Sequence, residues 1–126
     1  MVAPTDVPAE VRSQQYSRCA LYLSHIEFVR QHIAPRLDEG LKAIEFGGSN
    51  GFLAKLLDGV AYEVAPNAPD IDVQDLSSYP ANGFDLVILD EILEHVARPW
   101  VAVEEVRRIL KPGGCLITSS PFLIAE

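Results

Sequence analysis

Three glycines fall within five residues, Gly47, Gly48 and Gly51, in the stretch "KAIEFGGSNGFLAKLL". They stand between an apolar run and a helical one. Where a strand turns directly into a helix, backbone N–H groups are free and glycine lets a ligand approach them closely. The chemistry on offer is the binding of a nucleotide-like molecule. Two common forms of such a turn do not match. The dinucleotide fingerprint G-x-G-x-x-G, started at Gly47, needs glycine where Ser49 and Phe52 stand. The P-loop needs a Gly-Lys-Ser/Thr, and none follows. For the glycines taken alone, a purely structural tight turn stays open as the alternative.

A second group of residues narrows the ligand. Between Lys55 and Arg98 there is no lysine or arginine, while Asp58, Glu63, Asp70, Asp72, Asp75, Asp85, Asp90, Glu91 and Glu94 all fall there. A solvated acidic face is the usual meaning of such a cluster. A site for a ligand that carries positive charge is the other, and position in the fold has to decide. Other chemistries find little support. No His, Cys or Asp group has metal-ligand spacing, so no metal is expected. Ser119 and Ser120 lack an adjacent base motif for nucleophilic work. Cys19 and Cys115 are far apart and read as thiols in a reducing compartment.

The elements that must position these groups alternate along the chain. Residues 1–12 read as a loose tail with Pro4 and Pro8, and residues 13–126 as one domain. From Ser13 to Ala34, Tyr22, Ile26, Val29 and Ile33 form one apolar helical stripe, which Pro35 ends or bends. His25 and His32 lie on this helix in packing or surface roles. Leu41–Phe46 reads as a first strand, "FLAKLLD" as a short helix, Val60–Val64 as a second strand and Ile71–Val73 as a weak third. Phe84–Asp90 is continuously apolar, as expected of a strand covered on both faces. Trp100, Val103, Val106 and Leu110 mark a helix with Pro99 in its first turn, Glu104 and Arg108 spaced to pair, and Arg107, Arg108 and Lys111 in its last turn. Pro112-Gly113-Gly114 stops it before a fifth strand, Cys115–Ser120.

That order predicts an α/β fold, a doubly wound, mostly parallel sheet of about five strands with helices on both faces. Ligands of such sheets sit beyond the carboxyl ends of the strands, where strand order reverses. The glycines, Glu63, Asp75 and the Asp90–Glu94 group all fall at such ends. The acidic cluster thereby moves from a solvated face to a ligand rim.

Two stretches carry a family resemblance. "AIEFGGSNG" resembles the first motif of class I S-adenosylmethionine-dependent methyltransferases (type 11-like), with Ser49 in place of the middle glycine. "FDLVILDEILEHVARPWVAVEEVRRILKPGGCLITSSPF" resembles the later motifs more closely, in family order and spacing. The resemblance covers Leu41 to about Phe122 and implies a Rossmann-like fold. It also implies S-adenosylmethionine as cofactor and methyl transfer to a small-molecule acceptor. By family position, Glu45 would orient the methionine ammonium, and Gly47, Gly48, Ser49, Asn50 and Gly51 would pass beneath the methionine and ribose. Glu63 would accept from the ribose hydroxyls, Asp75 from the adenine amino group with Leu76 beside the ring, and Asp90 would close the methionine side. Glu91, Glu94 and His95 are the nearby groups for an acceptor proton, with no catalytic residue assigned; His95 reads first as a packing or capping residue.

The chain departs from that family in its Ser49, in the twelve residues from Gly51 to Glu63, which imply a short first helix, and in ending at Glu126. Family members continue through two more strands, so an exposed edge strand and self-association are expected. A non-catalytic cofactor-binding or interaction domain is the alternative reading; a nicotinamide-dependent oxidoreductase is a third, disfavoured by the glycine spacing. The formal charge of −8 argues against nucleic acid as a partner. No apolar run approaches the roughly 20 residues of a membrane span. The N-terminus "MVAPTDVPAE" lacks a basic segment and an apolar core, so a cytoplasmic location is expected.

Overall fold

A computed structural model describes residues 23–47, 52–67 and 69–120 of the chain. Four strands are found there: β1 (Lys42–Gly47), β2 (Ala61–Val64), β3 (Phe84–Asp90) and β4 (Leu110–Ser119). They form one sheet in the order β2-β1-β3-β4, with every neighbouring pair parallel. The chain leaves β1 for β2 on one side and returns to β3 on the other. Strand order thus reverses between β1 and β3, the place where a doubly wound sheet holds its ligand.

Among the described residues the sheet has four strands, where the sequence suggests about five. Ile71–Val73 does not pair, and the reason is local. Two hydrogen-bonded turns flank it: the Asp70 N–H donates to the Asn67 carbonyl and the Asp75 N–H to the Asp72 carbonyl. The Asp72 carboxylate also accepts from the Gln74 N–H at 2.9 Å. Side-chain bonds of this kind draw backbone groups away from a ladder.

Alternating side chains divide the core between the two faces of the sheet. On one face Ala43, Leu86, Ile88 and Ile117 meet α1, the helical segment of residues 23–39, through Ile26, Val29 and Ile33. On the other, Ile44, Phe46, Val87 and Leu89 meet α2 (Pro99–Ile109) through Ala102, Val106 and Ile109. All seven residues of β3 are buried, as its unbroken apolar run requires.

Details at the element ends differ from expectation. In α1, residues 23–28 are α-helical, Val29–Ile33 widen to a π turn, and Ala34–Glu39 tighten to a 3-10 turn. Pro35 sits in the first turn of that 3-10 stretch, where its missing N–H is not needed, so the chain stays helical until Gly40 (φ +71°). The short helix expected at "FLAKLLD" is a 3-10 turn, Phe52–Leu56. In α2, Arg108 pairs with Glu105 at 3.1 Å rather than with Glu104. The same guanidinium donates to the Leu76 and Tyr79 carbonyls, and Glu105 accepts from the Leu76 N–H. Those extra bonds fasten the loop before β3 to the helix.

β4 begins at Leu110, directly where α2 ends, and not at Cys115. Leu110 pairs with Phe84; Lys111–Gly114 then bulge out before Cys115 meets Leu86. A side chain at Gly114 would crowd the Lys111 carbonyl at 2.9 Å and the Asp85 carbonyl at 3.1 Å, so the bulge needs glycine there. Lys111 does not cap the helix. Its ammonium donates to Asp85 at 3.0 Å, and the same carboxylate oxygen accepts the Lys42 N–H at 2.9 Å. Burial pushes the Asp85 carboxyl up, but the Lys42 N–H, the bond and charge of Lys111 and the charge of Arg36 together hold it below the usual carboxylate range.

Candidate functional site

A cavity of about 550 Å³ opens at the carboxyl ends of the strands on the α2 face of the sheet. Phe46 and Gly47 at the end of β1 form one wall, and Ile92 and Val96 after β3 form another. The turns between β2 and β3 supply Asp72, Val73 and Gln74. Apolar surface with a few convergent polar groups is the usual make-up of a small-molecule site. No lysine or arginine is among the described residues that line it.

Two backbone features shape the mouth. Gly47 holds φ +103°, and a Cβ built there would run into the Asp90 backbone carbonyl opposite. Only glycine allows β1 and β3 to end this close. Glu91, the first residue beyond β3, holds φ +53°, a conformation that side chains other than glycine adopt at a cost. Its N–H donates to the Ser119 carbonyl at 3.0 Å, which ties the ends of β3 and β4 together.

On the opposite face of the same strand ends lies a buried polar cluster. Glu45 is 0% exposed and accepts the Tyr62 hydroxyl at 2.6 Å. Burial, then the Glu45 hydrogen bond and charge, then the Asp90 charge push the Tyr62 hydroxyl far above its ordinary range, so it stays a donor. Asp90 is 4% exposed; its Oδ1 lies 2.6 Å from His25 Nε2 and accepts the Ser119 hydroxyl at 3.0 Å. Its Oδ2 is buried with no hydrogen-bond partner among the described residues. A buried carboxylate oxygen left so is costly, and it suits a cationic group that arrives with a ligand. A ligand with an ammonium at one end and an uncharged aromatic ring at the other therefore fits the residues present.

The residues singled out in the sequence fall into three groups. Glu45, Gly47 and Asp90 come together at the ends of β1 and β3. Gly48, Ser49, Asn50 and Gly51 lie outside the described residues. Glu63, Asp75 and Leu76 do not line the cavity. Glu63 is exposed near the end of β2, and burial first and the Glu63 charge second raise the Tyr79 hydroxyl above its ordinary range. Asp75 is exposed and bonded to Ser77, whose hydroxyl and N–H hold its carboxyl below the usual range. Leu76 is fully buried in the core on the α2 face. Glu91 and His95 line the cavity, His95 with its side chain largely exposed, and Glu94 does not.

The sequence pattern does not set Asp72 apart from the other acids of the cluster, and it gives His25 a packing or surface role. Asp72-Val73 and Asp75-Leu76 are the same acid–apolar pair, so the local pattern offered no choice between them. For His25 a signal existed: it precedes Val29 by four residues and Ile33 by eight, on the stripe that packs against the sheet. Among the described residues, no group of three or more His, Cys, Asp or Glu could hold a metal ion. Nor is any helix among them long and apolar enough to cross a membrane.

With this geometry in place, comparison with known proteins is informative. A family model described as a methyltransferase domain matches residues 61–118. A ubiquinone biosynthesis O-methyltransferase of Cereibacter sphaeroides (strain ATCC 17029) is 33% identical over 75% of this chain and 47% of its own. One from Xanthomonas oryzae pv. oryzae (strain PXO99A) is 42% identical over 38% of this chain and 20% of its own. Among solved structures, one from Galdieria sulphuraria assigned to the sarcosine dimethylglycine methyltransferases superposes with a TM-score of 0.64 at 16% identity, over 90% of this chain and 52% of that one. The [4+2]-cyclase SpnF gives 0.60 at 21% identity, over 86% and 47%. At such identities the structural likeness is one of fold. The chain spans about half the length of the Cereibacter relatives it matches. The alignment to the second of them runs over 115 positions but occupies only 75% of this chain, so parts of that relative have no counterpart here.

Proposed function

We propose, from the premise that this chain belongs to the class I S-adenosylmethionine-dependent methyltransferases, that it binds S-adenosylmethionine and takes part in methyl transfer to a small acceptor. The observation that carries this reading is the acid-bordered cavity at the β1/β3 switch point, lined without lysine or arginine. The bound cofactor would supply a methyl group activated on a sulfonium. Displacement of that kind asks the protein chiefly for alignment.

The residues divide the work by face. Phe46, Ile71, Val73 and Ile92 offer the apolar walls for an adenine ring, and Asp72 is the carboxylate placed to accept from its amino group. This role passes to Asp72 from Asp75, because Asp72 lines the cavity. Gly47 lets the ligand cross from one face to the other over the strand ends. Asp90 and Glu45 take the ammonium end. Glu63, near the carboxyl end of β2, would meet the ribose hydroxyls. The curated relatives are named O-methyltransferases, which makes a hydroxyl the first acceptor atom to try. Glu91 and His95, both lining the cavity, are placed to receive its proton.

Thermal shift with three ligands tests the cofactor reading. S-adenosylmethionine and S-adenosylhomocysteine at millimolar concentration should raise the melting temperature, and NAD should not. A flat response to both sulfur ligands, or an equal response to NAD, overturns it. Release of S-adenosylhomocysteine in the presence of catechols and other hydroxylated acceptors then tests methyl transfer itself.

A further inference from the structure

We infer that His25 is a positioning residue: together with Ser119 it fixes one oxygen of Asp90 so that the other is presented to the ammonium of the methyl donor. The inference rests on the cofactor reading above and adds His25, which lies outside both stretches that carry the family resemblance. His25 is 3% exposed and Asp90 4%, and their 2.6 Å contact joins α1 to the end of β3. With its proton on Nε2 the imidazole donates and the carboxylate oxygen accepts. Ser119, from the end of β4, lies 3.0 Å from the same Oδ1.

Two donors from two elements thus converge on Oδ1, while Oδ2 of the same group is buried with no partner among the described residues. A carboxylate held at one oxygen cannot rotate to satisfy the other. What remains is a fixed acceptor opposite Gly47, the residue at which β1 gives way to the glycine turn. The neighbouring Glu45, two residues earlier on β1 and on the same face, adds a second carboxylate, steadied by Tyr62. Two acids side by side select a cation with several N–H donors over an anion. In S-adenosylmethionine that is the amino group of the methionine part, and nothing in the adenosine part offers it.

Calorimetric titration of the full chain with two ligands reads this directly. S-adenosylhomocysteine carries the amino group; methylthioadenosine has the same adenosine and lacks the amino acid. His25→Phe should weaken the first by about tenfold or more and leave the second within about twofold. His25→Gln, whose amide nitrogen reaches the place of Nε2, should restore most of the loss. Ser119→Ala should weaken S-adenosylhomocysteine alone, by about threefold. A merely structural His25 would weaken both ligands alike. That result, or no change in either, overturns the inference and leaves the cofactor reading intact. Wild-type protein that binds neither ligand overturns both. If His25→Phe does not fold, Ser119→Ala decides: loss confined to S-adenosylhomocysteine supports the inference, and equal loss or none ends it.

Discussion

At the scale of single residues, local hydrogen bonds sort carboxylates that look alike in sequence. Asp75 is bonded to the hydroxyl and N–H of Ser77 and lies outside the cavity, whereas Asp72 borders it beside Val73. Asp72→Ala should therefore weaken S-adenosylhomocysteine by about tenfold and Asp75→Ala by less than twofold, measured by titration calorimetry. The reverse order would return the adenine contact to Asp75. Asp85 illustrates a structural carboxylate. Its folded pKa lies below the ordinary value of about 4, because the Lys42 N–H and Lys111 outweigh its burial. A depressed acid contributes stability that is full above the unfolded value and is lost as pH falls through the folded one. Asp85→Asn should thus cost roughly 1–3 kcal/mol at pH 7. The gap between mutant and wild type should narrow as pH falls below about 4, read from urea midpoints across pH.

At the scale of elements, the site exists because β1 and β3 end side by side and their backbones nearly touch. Gly47→Ala puts a methyl group into the Asp90 carbonyl and a side chain at φ +103°. Separating the two strand ends should lower stability by about 1–3 kcal/mol and remove binding of both S-adenosylhomocysteine and methylthioadenosine, as melting and titration would report. A variant that melts and binds as wild type would mean the strand ends are free to part. Much of this scaffold could be read from sequence because tertiary context agrees with local pattern. The unbroken apolar run of β3 needs cover on both faces and has it; the Tyr22–Ile33 stripe predicted the packing of Ile26, Val29 and Ile33. The misreadings come where a side chain overrides the pattern. The Asp72 carboxylate captures the Gln74 N–H and prevents a strand at Ile71–Val73. Asp85 draws Lys111 out of the helix end and into the β4 bulge. At the site, the meeting of β1 with β3 followed from fold class, but which histidine reaches Asp90 depends on a contact 65 residues distant in sequence.

At the scale of the whole molecule, the outer edge of the sheet and the net charge oppose one another. Among the described residues β4 is bonded on one side only, to β3, and its other side presents the outward-facing backbone groups of an edge strand. Such an edge is a template for another strand, and an antiparallel pair of β4 strands would satisfy both copies at once. The Lys111–Gly114 bulge distorts only the beginning of the strand, so Cys115–Ser119 remain regular enough to pair. Against this stands a formal charge of −8 on 126 residues, which repels like copies. The repulsion is screened beyond about 8 Å at physiological ionic strength, whereas strand pairing acts at contact distance and is hardly screened. A chain of these 126 residues should therefore run near its 13.8 kDa monomer mass in dilute, low-salt buffer and shift toward dimers and larger species as salt and concentration rise. Light scattering coupled to size exclusion across a salt series reads the balance. Proline at Thr118, an exposed position in the regular part of β4, tests the cause, since proline cannot donate to a new ladder. Where Thr118→Pro folds and still associates as wild type does, the edge is not the contact. A wild-type monomer at every salt and concentration would mean that the open edge of β4 does not drive association.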